Sequence, residues 1–274
     1  MGGHPRGGPR ELAAAEGVEF TAGGLALLPP YVPLRSLTRW VAACLAAAGA
    51  LSAVSLGVEL SQLRLLLRPV AGEAALLLAR TAQETTGGAL GALRLVVFTA
   101  TATLFLTWIY HARANVRALG VRRPRFTRGW AVGAFLTPGL NFFRPLAVVA
   151  EIWQASDPTI LDPFGWRGGR VPGGLRLWWG SCLAWAVLAG IAALLEATAG
   201  IALGRLRLAT LISVLADAGA CAAAACCWAL VLRLCDRQQA KWERLGSARE
   251  AEPAREPRWT PAEAAPGARG RSGL

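Results

Sequence analysis

Long apolar runs separated by polar connections dominate this chain, and four of the runs approach 20 residues. A helix needs about 20 apolar residues to cross the roughly 30 Å hydrocarbon core of a bilayer. The pattern therefore predicts an all-helical integral membrane protein with four transmembrane helices, over residues 40–60, 93–112, 177–195 and 208–232.

The sequence outside these spans suggests three parts. Residues 1–34 and 245–274 lack an apolar period and are rich in small, charged and proline residues, so we predict a flexible N-terminal segment and a disordered C-terminal tail. Residues 35–244 form the predicted membrane domain. Leucines among Arg and Glu in residues 61–90 favour an external amphipathic hairpin, broken at Pro69 and closed at Gly87 and Gly88.

A fifth apolar stretch, residues 129–150, is interrupted by Pro138, Asn141, Arg144 and Pro145, whose polar groups or missing N–H would be costly in hydrocarbon. An even number of spans also places both ends of the chain on one side. We therefore predict that this stretch lies in the membrane interface, or dips in and returns, as part of a module over residues 113–156.

Charge distribution indicates the orientation. The formal charge is +12, and ten Arg lie between residues 111 and 176, with Arg233, Arg237, Lys241 and Arg244 after the last span. The positive-inside rule then predicts cytoplasmic N- and C-termini. Basic residues beside a span favour anionic lipid head groups as partners over nucleic acid.

The central segment also carries an unusual series of side chains. Trp108, His111 and Asn115 have the spacing of one helical stripe, and Arg113 and Arg117 form a second, basic stripe before a helix end near Gly120. Two interpretations remain open: a site for an anionic head group or phosphorylated ligand, or interfacial anchoring with snorkelling arginines.

Further along, Arg144 and Glu151 are seven residues apart, while Trp130 and Trp153 suit the membrane interface. One interpretation is a structured bend. In it, Asn141 forms hydrogen bonds with backbone groups left unpaired near Pro138 and Pro145, and Glu151 pairs with an Arg from the basic loop, residues 121–128. The alternative is a polar vestibule that holds a ligand. In the last span, Asp217 is either a functional intramembrane acid or a hydrogen-bonded carboxyl facing other helices.

No catalytic, metal or cofactor site is predicted. The six cysteines have no C-x-x-C spacing, only two histidines are present, and no phosphate-binding loop or nucleophile motif occurs. We therefore expect a non-enzymatic protein that needs neither a metal nor a cofactor.

The central segment resembles a bacterial membrane family known as domain of unknown function 4328. The matching positions are Phe105, Trp108, Ile109, Asn115, Leu119, Gly120, Phe126, Gly129, Trp130, Pro138, Asn141, Arg144, Pro145, Glu151, Ile152 and Trp153. The likeness extends more weakly over residues 31–244 and implies four membrane helices in a bacterial inner membrane, with no assigned activity. Leu136 and Thr137 stand where the family tends to carry a bulkier run.

Two functions follow from these observations. The first is a scaffold or sensor that engages lipid head groups or a protein partner through residues 108–156. The second is a small transporter or channel component that uses Asp217 and the broken segment 129–150 as a polar pathway. Assembly with a second copy of the chain is a further expectation, because a four-helix unit of this size encloses little space by itself.

Overall fold

The computed structural model describes residues 29–68, 73–198 and 202–251, and helices form nearly all of this part. Its six α-helices are α1 (Arg35–Leu66), α2 (Glu73–Ala118), α3 (Arg128–Leu136), α4 (Arg144–Ala155), α5 (Gly173–Thr198) and α6 (Leu203–Ala251). Short 3-10 turns lie at Leu140–Phe142 and Gly165–Gly168, and no strand occurs in the described ranges.

Four of these helices, α1, α2, α5 and α6, are long and apolar enough to cross a membrane. The four predicted spans are confirmed, because each lies inside one of them. The chain is therefore an all-helical membrane protein. Helix α6 has 49 residues, which corresponds to roughly 73 Å and exceeds the thickness of the hydrocarbon core. One end of α6 must therefore extend beyond the membrane.

The spanning helices pack antiparallel to their neighbours in the order α2, α1, α6, α5. Near one end, Trp108 of α2 donates to Thr38 of α1. Near the other, Arg207 of α6 donates to the carbonyl of Leu66, where α1 ends. We call the first end, where α2 finishes and α5 begins, the basic end because the central arginines lie there.

The prediction that Gly87 and Gly88 close an external hairpin over residues 61–90 is wrong, although the helices do break between Leu66 and Glu73. Helix α1 continues to Leu66, and α2 runs without interruption from Glu73 through Gly87 and Gly88 into the membrane span. Glycine lowers helix propensity but removes no backbone hydrogen bond, so a long helix can pass through a Gly pair. Pro69 lies outside the described residues, as do residues 1–28 of the predicted segment 1–34 and residues 252–274 of the predicted tail 245–274. Residues 245–251 of that tail continue α6.

Candidate functional site

A short helical hairpin, formed by α3, the 3-10 turn and α4, fills the space between α2 and α5 at the basic end. Thr127 caps α3 by accepting a hydrogen bond from the backbone N–H of Trp130 at 3.2 Å. Phe135, near the end of α3, packs edge-on against Phe105 of α2 at 5.6 Å between ring centroids. Phe126 lies instead beside Arg113, further along α2. Helix α3 therefore runs back along α2, from the basic end towards the middle of the bundle.

The chain then reverses within a few residues. Gly139 has φ +79, a conformation that costs other residues energy, and the carbonyl of Phe142 accepts a hydrogen bond from Trp179 Nε1 of α5 at 2.8 Å. Pro145 occupies the first turn of α4, where a missing N–H costs nothing. Helix α4 returns to the basic end, so residues 128–155 form a hairpin that enters and leaves on one side of the bundle.

The tip of this hairpin is mostly apolar and uncovered by the rest of the chain. Leu136, Phe142 and Phe143 are 65%, 49% and 80% exposed, and Pro138 is exposed as well. Arg144 adds one exposed charge beside Phe143, whereas the half-exposed Trp130 lies at the other end of α3, near the basic end. A cluster of exposed large apolar side chains is typical of a surface that contacts a membrane or a partner.

Buried polar contacts hold the hairpin at the basic end. We call Arg113, Glu151 and the backbone of Arg125 and Phe126 the polar frame. The two carboxylate oxygens of Glu151 accept hydrogen bonds from the backbone N–H groups of Arg125 and Phe126, at 3.0 and 3.2 Å. Arg113, which is 2% exposed, donates to the carbonyl of Phe126 and lies 3.7 Å from Glu151. These contacts fix the loop between α2 and α3 on α4.

Two sequence-based expectations are therefore wrong. Arg113 and Arg117 do not form one basic stripe, because Arg113 is buried in the frame and Arg117 is exposed. Among the described residues no hydrogen bond joins Asn141 Nδ2 to the carbonyl groups freed near the prolines, and Asn141 Oδ1 is buried without a partner. Glu151 does pair with an Arg, but the partner is Arg113 of α2 rather than an arginine side chain of the basic loop.

Trp108 and Asn115 belong to the same framework. The Trp108 indole is fully buried and donates to Thr38 Oγ1 at 2.8 Å. Asn115 exchanges hydrogen bonds with the backbone of Val32 and also donates to Gln238 Oε1 at 3.3 Å. Both residues join α2 to the chain around the start of α1, so their role in the structure is to hold elements together.

The extension of α6 holds the far end of α4, which the sequence analysis did not predict. Lys241 is 1% exposed and donates from Nζ to the carbonyl of Ala155, the last residue of α4, at 2.8 Å. A cation at a helix C-terminus interacts favourably with its free carbonyls. Arg237 of the same helix lies over the Trp153 ring at 4.6 Å and pairs with Asp157 at 2.9 Å.

Electrostatics at this contact favour the charged pair. Burial alone would raise the pKa of Asp157, but hydrogen bonds from Thr159 and the nearby Arg237 outweigh it, so the pKa of Asp157 is lowered. The only signal of this arrangement in the sequence is a helix that continues well past its apolar part with Arg237, Gln238 and Lys241 spaced along it.

An open cleft lies beside α4 at the basic end. It has a volume of about 440 Å³ and is lined by Arg125, Ala147, Ala150, Glu151, Gln154, Trp166 and Arg167. Arg167 lies over the Trp166 ring at 5.1 Å, and the Trp166 indole donates to the carbonyl of Arg122 at 3.1 Å. Arg125 and Arg167 are exposed. We call this the basic cleft.

Asp217 lies elsewhere in the bundle. It is 3% exposed and forms an ion pair with Arg94 of α2, whose Nη1 donates to Asp217 Oδ2 at 3.2 Å. The hairpin contacts Phe105 and Trp179, which are closer to the basic end. The structure therefore does not bring Asp217 and the segment 129–150 together into one site.

Other chemistries receive no support from the described part of the chain. All six cysteines, which lie within it, are free. No three His, Cys, Asp or Glu side chains in the described ranges come together in a group that could hold a metal ion.

Comparison with known proteins gives one match. The family described as Domain of unknown function (DUF4328) matches residues 74–236, which is more than half of the chain and includes the hairpin, the basic cleft and Asp217. No curated protein and no solved structure matches.

Proposed function

Because the chain belongs to the family described as Domain of unknown function (DUF4328), whose description names no activity, we propose a function from the geometry: a non-enzymatic membrane scaffold that binds an anionic lipid. The lipid head group occupies the basic cleft. The acyl chains lie against the apolar tip of the hairpin. In this proposal the basic end faces the cytoplasm of a bacterium, as the positive-inside rule predicts.

One observation carries the proposal: the apolar tip and the basic cleft lie along the same short helix. Phe143 precedes α4 directly, whereas Glu151 and Gln154 line the cleft further along it. Eight residues of helix between Phe143 and Glu151 correspond to about 12 Å. A lipid that contacts the tip with its chains could therefore place its phosphate at the cleft.

The charge of the cleft supports an anion. Glu151 lines it, but both of its oxygens accept backbone hydrogen bonds and Arg113 lies beside them. Among the described residues, Arg125 and Arg167 have no carboxylate partner, although Nη2 of Arg167 donates to the carbonyl of Arg123 at 3.3 Å. A guanidinium group can form two parallel hydrogen bonds to a phosphate. Of the ten Arg between residues 111 and 176, all except Arg113 are exposed, which adds a general attraction for an anionic surface.

A binding role fits the known contacts better than catalysis does. Arg113, Asn115 and Glu151 are the buried polar groups of this end of the bundle, and each is held in backbone or side-chain contacts. Besides Glu151 and two alanines, the cleft is lined by the exposed Arg125 and Arg167, the half-buried amide of Gln154 and the buried indole of Trp166, and none of these side chains acts as a nucleophile at neutral pH.

The test is binding of short-chain phosphatidylglycerol to the purified full chain in a neutral detergent, compared with short-chain phosphatidylcholine and with inorganic phosphate. We expect phosphatidylglycerol to bind most tightly, and R125Q/R167Q to weaken it by about tenfold or more, since two charge-assisted contacts are lost. R68Q/R205Q, which removes the same charge at the other end of the bundle, should leave binding unchanged.

Three results would contradict the proposal. Equal binding of both lipids would show that charge is not recognised. Equal binding of inorganic phosphate would show that the cleft holds a free anion rather than a lipid. Unchanged phosphatidylglycerol binding in R125Q/R167Q would place the lipid elsewhere.

A further inference from the structure

Helix α1 carries a polar stripe that its membrane location makes costly. Ser52, Ser55 and Glu59 follow one another at helical spacing within residues 41–60, whose other side chains are apolar. The two serines are buried and Glu59 is half-buried. Ser55 is 4% exposed, and its Oγ has no hydrogen-bond partner. The Oε2 atom of Glu59, one turn further along, is also buried without a partner.

The charged groups that act on Glu59, namely Asp217, Arg94 and Glu196, come from the other spanning helices. Arg94 of α2 and Asp217 of α6 are paired, with both Nη atoms of the guanidinium bonded to the carboxylate. Glu196 of α5 accepts a hydrogen bond from Ser213 of α6 at 3.2 Å. Arg207, nearer the helix ends, is bonded to the carbonyl of Leu66. Among the described side chains, three carboxylates thus face one neighbouring guanidinium.

This arrangement leaves Glu59 without a cation of its own. Arg94 is held by two hydrogen bonds to Asp217, and placing a second ionised carboxylate beside that pair would add repulsion from Asp217 and Glu196. An unpaired charge in an environment of low polarity is expensive, and a carboxyl group there becomes neutral instead. A neutral Glu59 carries an O–H, and Ser55 Oγ is an unpartnered acceptor one helical turn away on the same face.

We propose that Glu59 is a proton-binding site inside the membrane bundle, with Ser55 as its neighbouring acceptor and the Arg94–Asp217 pair as the fixed charges that set its environment. The proton is exchanged with the side of the membrane opposite the basic end, because Glu59 lies close to the end of α1 at Leu66. This site is separate from the basic cleft, so it goes beyond the lipid-binding function and can fail independently of it.

Dicyclohexylcarbodiimide tests this directly, because it is apolar and reacts with protonated carboxyl groups. The carboxyl proton moves to one nitrogen of the reagent while a carboxyl oxygen bonds to its central carbon. The acyl group then migrates to a nitrogen, which leaves a stable N-acylurea with no atom lost. The experiment uses the full chain in liposomes and locates the adduct by peptide mass spectrometry.

We expect Glu59 to be the labelled carboxyl at about pH 6 and its labelling to fall at least about tenfold by about pH 9, because a buried carboxyl beside other carboxylates ionises at higher pH than an exposed one. Asp217, which is paired, and Glu243, which is exposed on the extension of α6, serve as internal comparisons within the same protein. Glu59→Gln should abolish the adduct on that peptide, whereas Glu243→Gln should leave it unchanged.

The wild-type chain alone can overturn the proposal, so misfolding of a variant cannot obscure the result. Absence of the adduct on Glu59 at about pH 6 would show that the carboxyl is ionised or unreachable. Labelling that does not change with pH would exclude exchange of a proton. An adduct on Asp217 in place of Glu59 would show that Asp217 holds the proton, which contradicts the proposal.

Discussion

The side-chain amide of Asn115 forms hydrogen bonds with both backbone polar groups of Val32. Its Oδ1 accepts from the Val32 N–H at 3.0 Å, and its Nδ2 donates to the Val32 carbonyl at 2.8 Å. The two residues are 83 positions apart. An amide is suited to this contact because it offers a donor and an acceptor side by side. The contact fixes the chain before α1 on the end of α2.

Replacing Asn115 with Leu should therefore lower the free energy of unfolding by about 1–3 kcal/mol, because both backbone groups of Val32 would lose their partner. Asn115→Asp should also destabilise the protein, since it keeps the acceptor but loses the donor. Thermal unfolding in detergent gives the comparison. Asn141→Ala is the control, because Asn141 Oδ1 has no partner to lose. Equal melting temperatures for Asn115→Leu and Asn141→Ala would contradict this prediction.

Glu151 should control the order of the loop between α2 and α3. The change Glu151→Ala removes the acceptor for the backbone N–H groups of Arg125 and Phe126 and leaves Arg113 buried without its counter-charge. Opening of the loop should then become easier, because local opening reflects the contacts that hold a segment.

Limited trypsin digestion measures this effect, since the loop contains Arg122 and Arg125, whereas Arg123 precedes Pro124 and is not a cleavage site. We expect cleavage there to accelerate by about tenfold, which corresponds to about 1.4 kcal/mol of easier opening. Glu243→Ala, on the exposed surface of α6, should cleave at the wild-type rate. A loop in Glu151→Ala as resistant as the wild-type loop would show that other contacts hold it.

The sequence predicts the membrane spans well, but it does not predict which side chains on different helices contact each other. Both results have physical reasons. A continuous apolar run of about 20 residues has few alternatives to a membrane helix, so all four spans follow from composition. The contact between Asn115 and Val32, and the pairing of Arg94 with Asp217, depend on which helices become neighbours. Ionisable residues inside predicted spans could have indicated Glu59 and Arg94, because charge in a span always needs an explanation.

In the module between the second and third spans, too, the general location could be predicted and the side-chain contacts could not. The module's aromatic residues and prolines predict a segment that lies in the interface or dips in and returns. The structure shows a hairpin at one end of the bundle, and its position in the membrane stays a prediction. The roles of its polar residues could not be predicted, because Arg113 and Arg117 differ only in the direction that each side chain takes. Lys241 and Ala155, 86 residues apart, meet only because α6 extends past the membrane.

The reversal of the hairpin should depend on Gly139. Its φ of +79 is unfavourable for any residue with a Cβ, although a Cβ there would meet no atom within 4 Å. Gly139→Ala should therefore cost about 1 kcal/mol through backbone strain alone. Gly133→Ala is the matched control, because Gly133 lies inside α3 and a Cβ there makes an ordinary contact with Trp130 at 3.7 Å.

The melting temperatures of the two alanine variants in detergent check this prediction. Gly133→Ala should match or slightly exceed the wild type, since alanine is a better helix former than glycine. Gly139→Ala should melt below both. If the two variants melt together, the turn has adapted to the new residue and the left-handed conformation is not required.

The pair formed by Asp157 and Arg237 should give the protein an acid-sensitive contribution to stability. The pKa of Asp157 is lowered in the folded protein, so its contribution is fully present above the pKa of an unfolded aspartate, about 3.9, and is lost as the pH falls through the lower folded value. Because the pair is partly exposed, we expect it to contribute only about 0.2–1 kcal/mol at neutral pH. Asp157→Asn should destabilise the protein by that amount at about pH 7 and by progressively less below about pH 4.

Arg237→Gln should show the same pH-dependent loss plus a constant loss, because Arg237 also lies over the Trp153 ring. Unfolding of both single variants and the double variant across this pH range measures the coupling energy of the pair. A coupling that stays constant from neutral to acid pH would show that the ion pair is not its source.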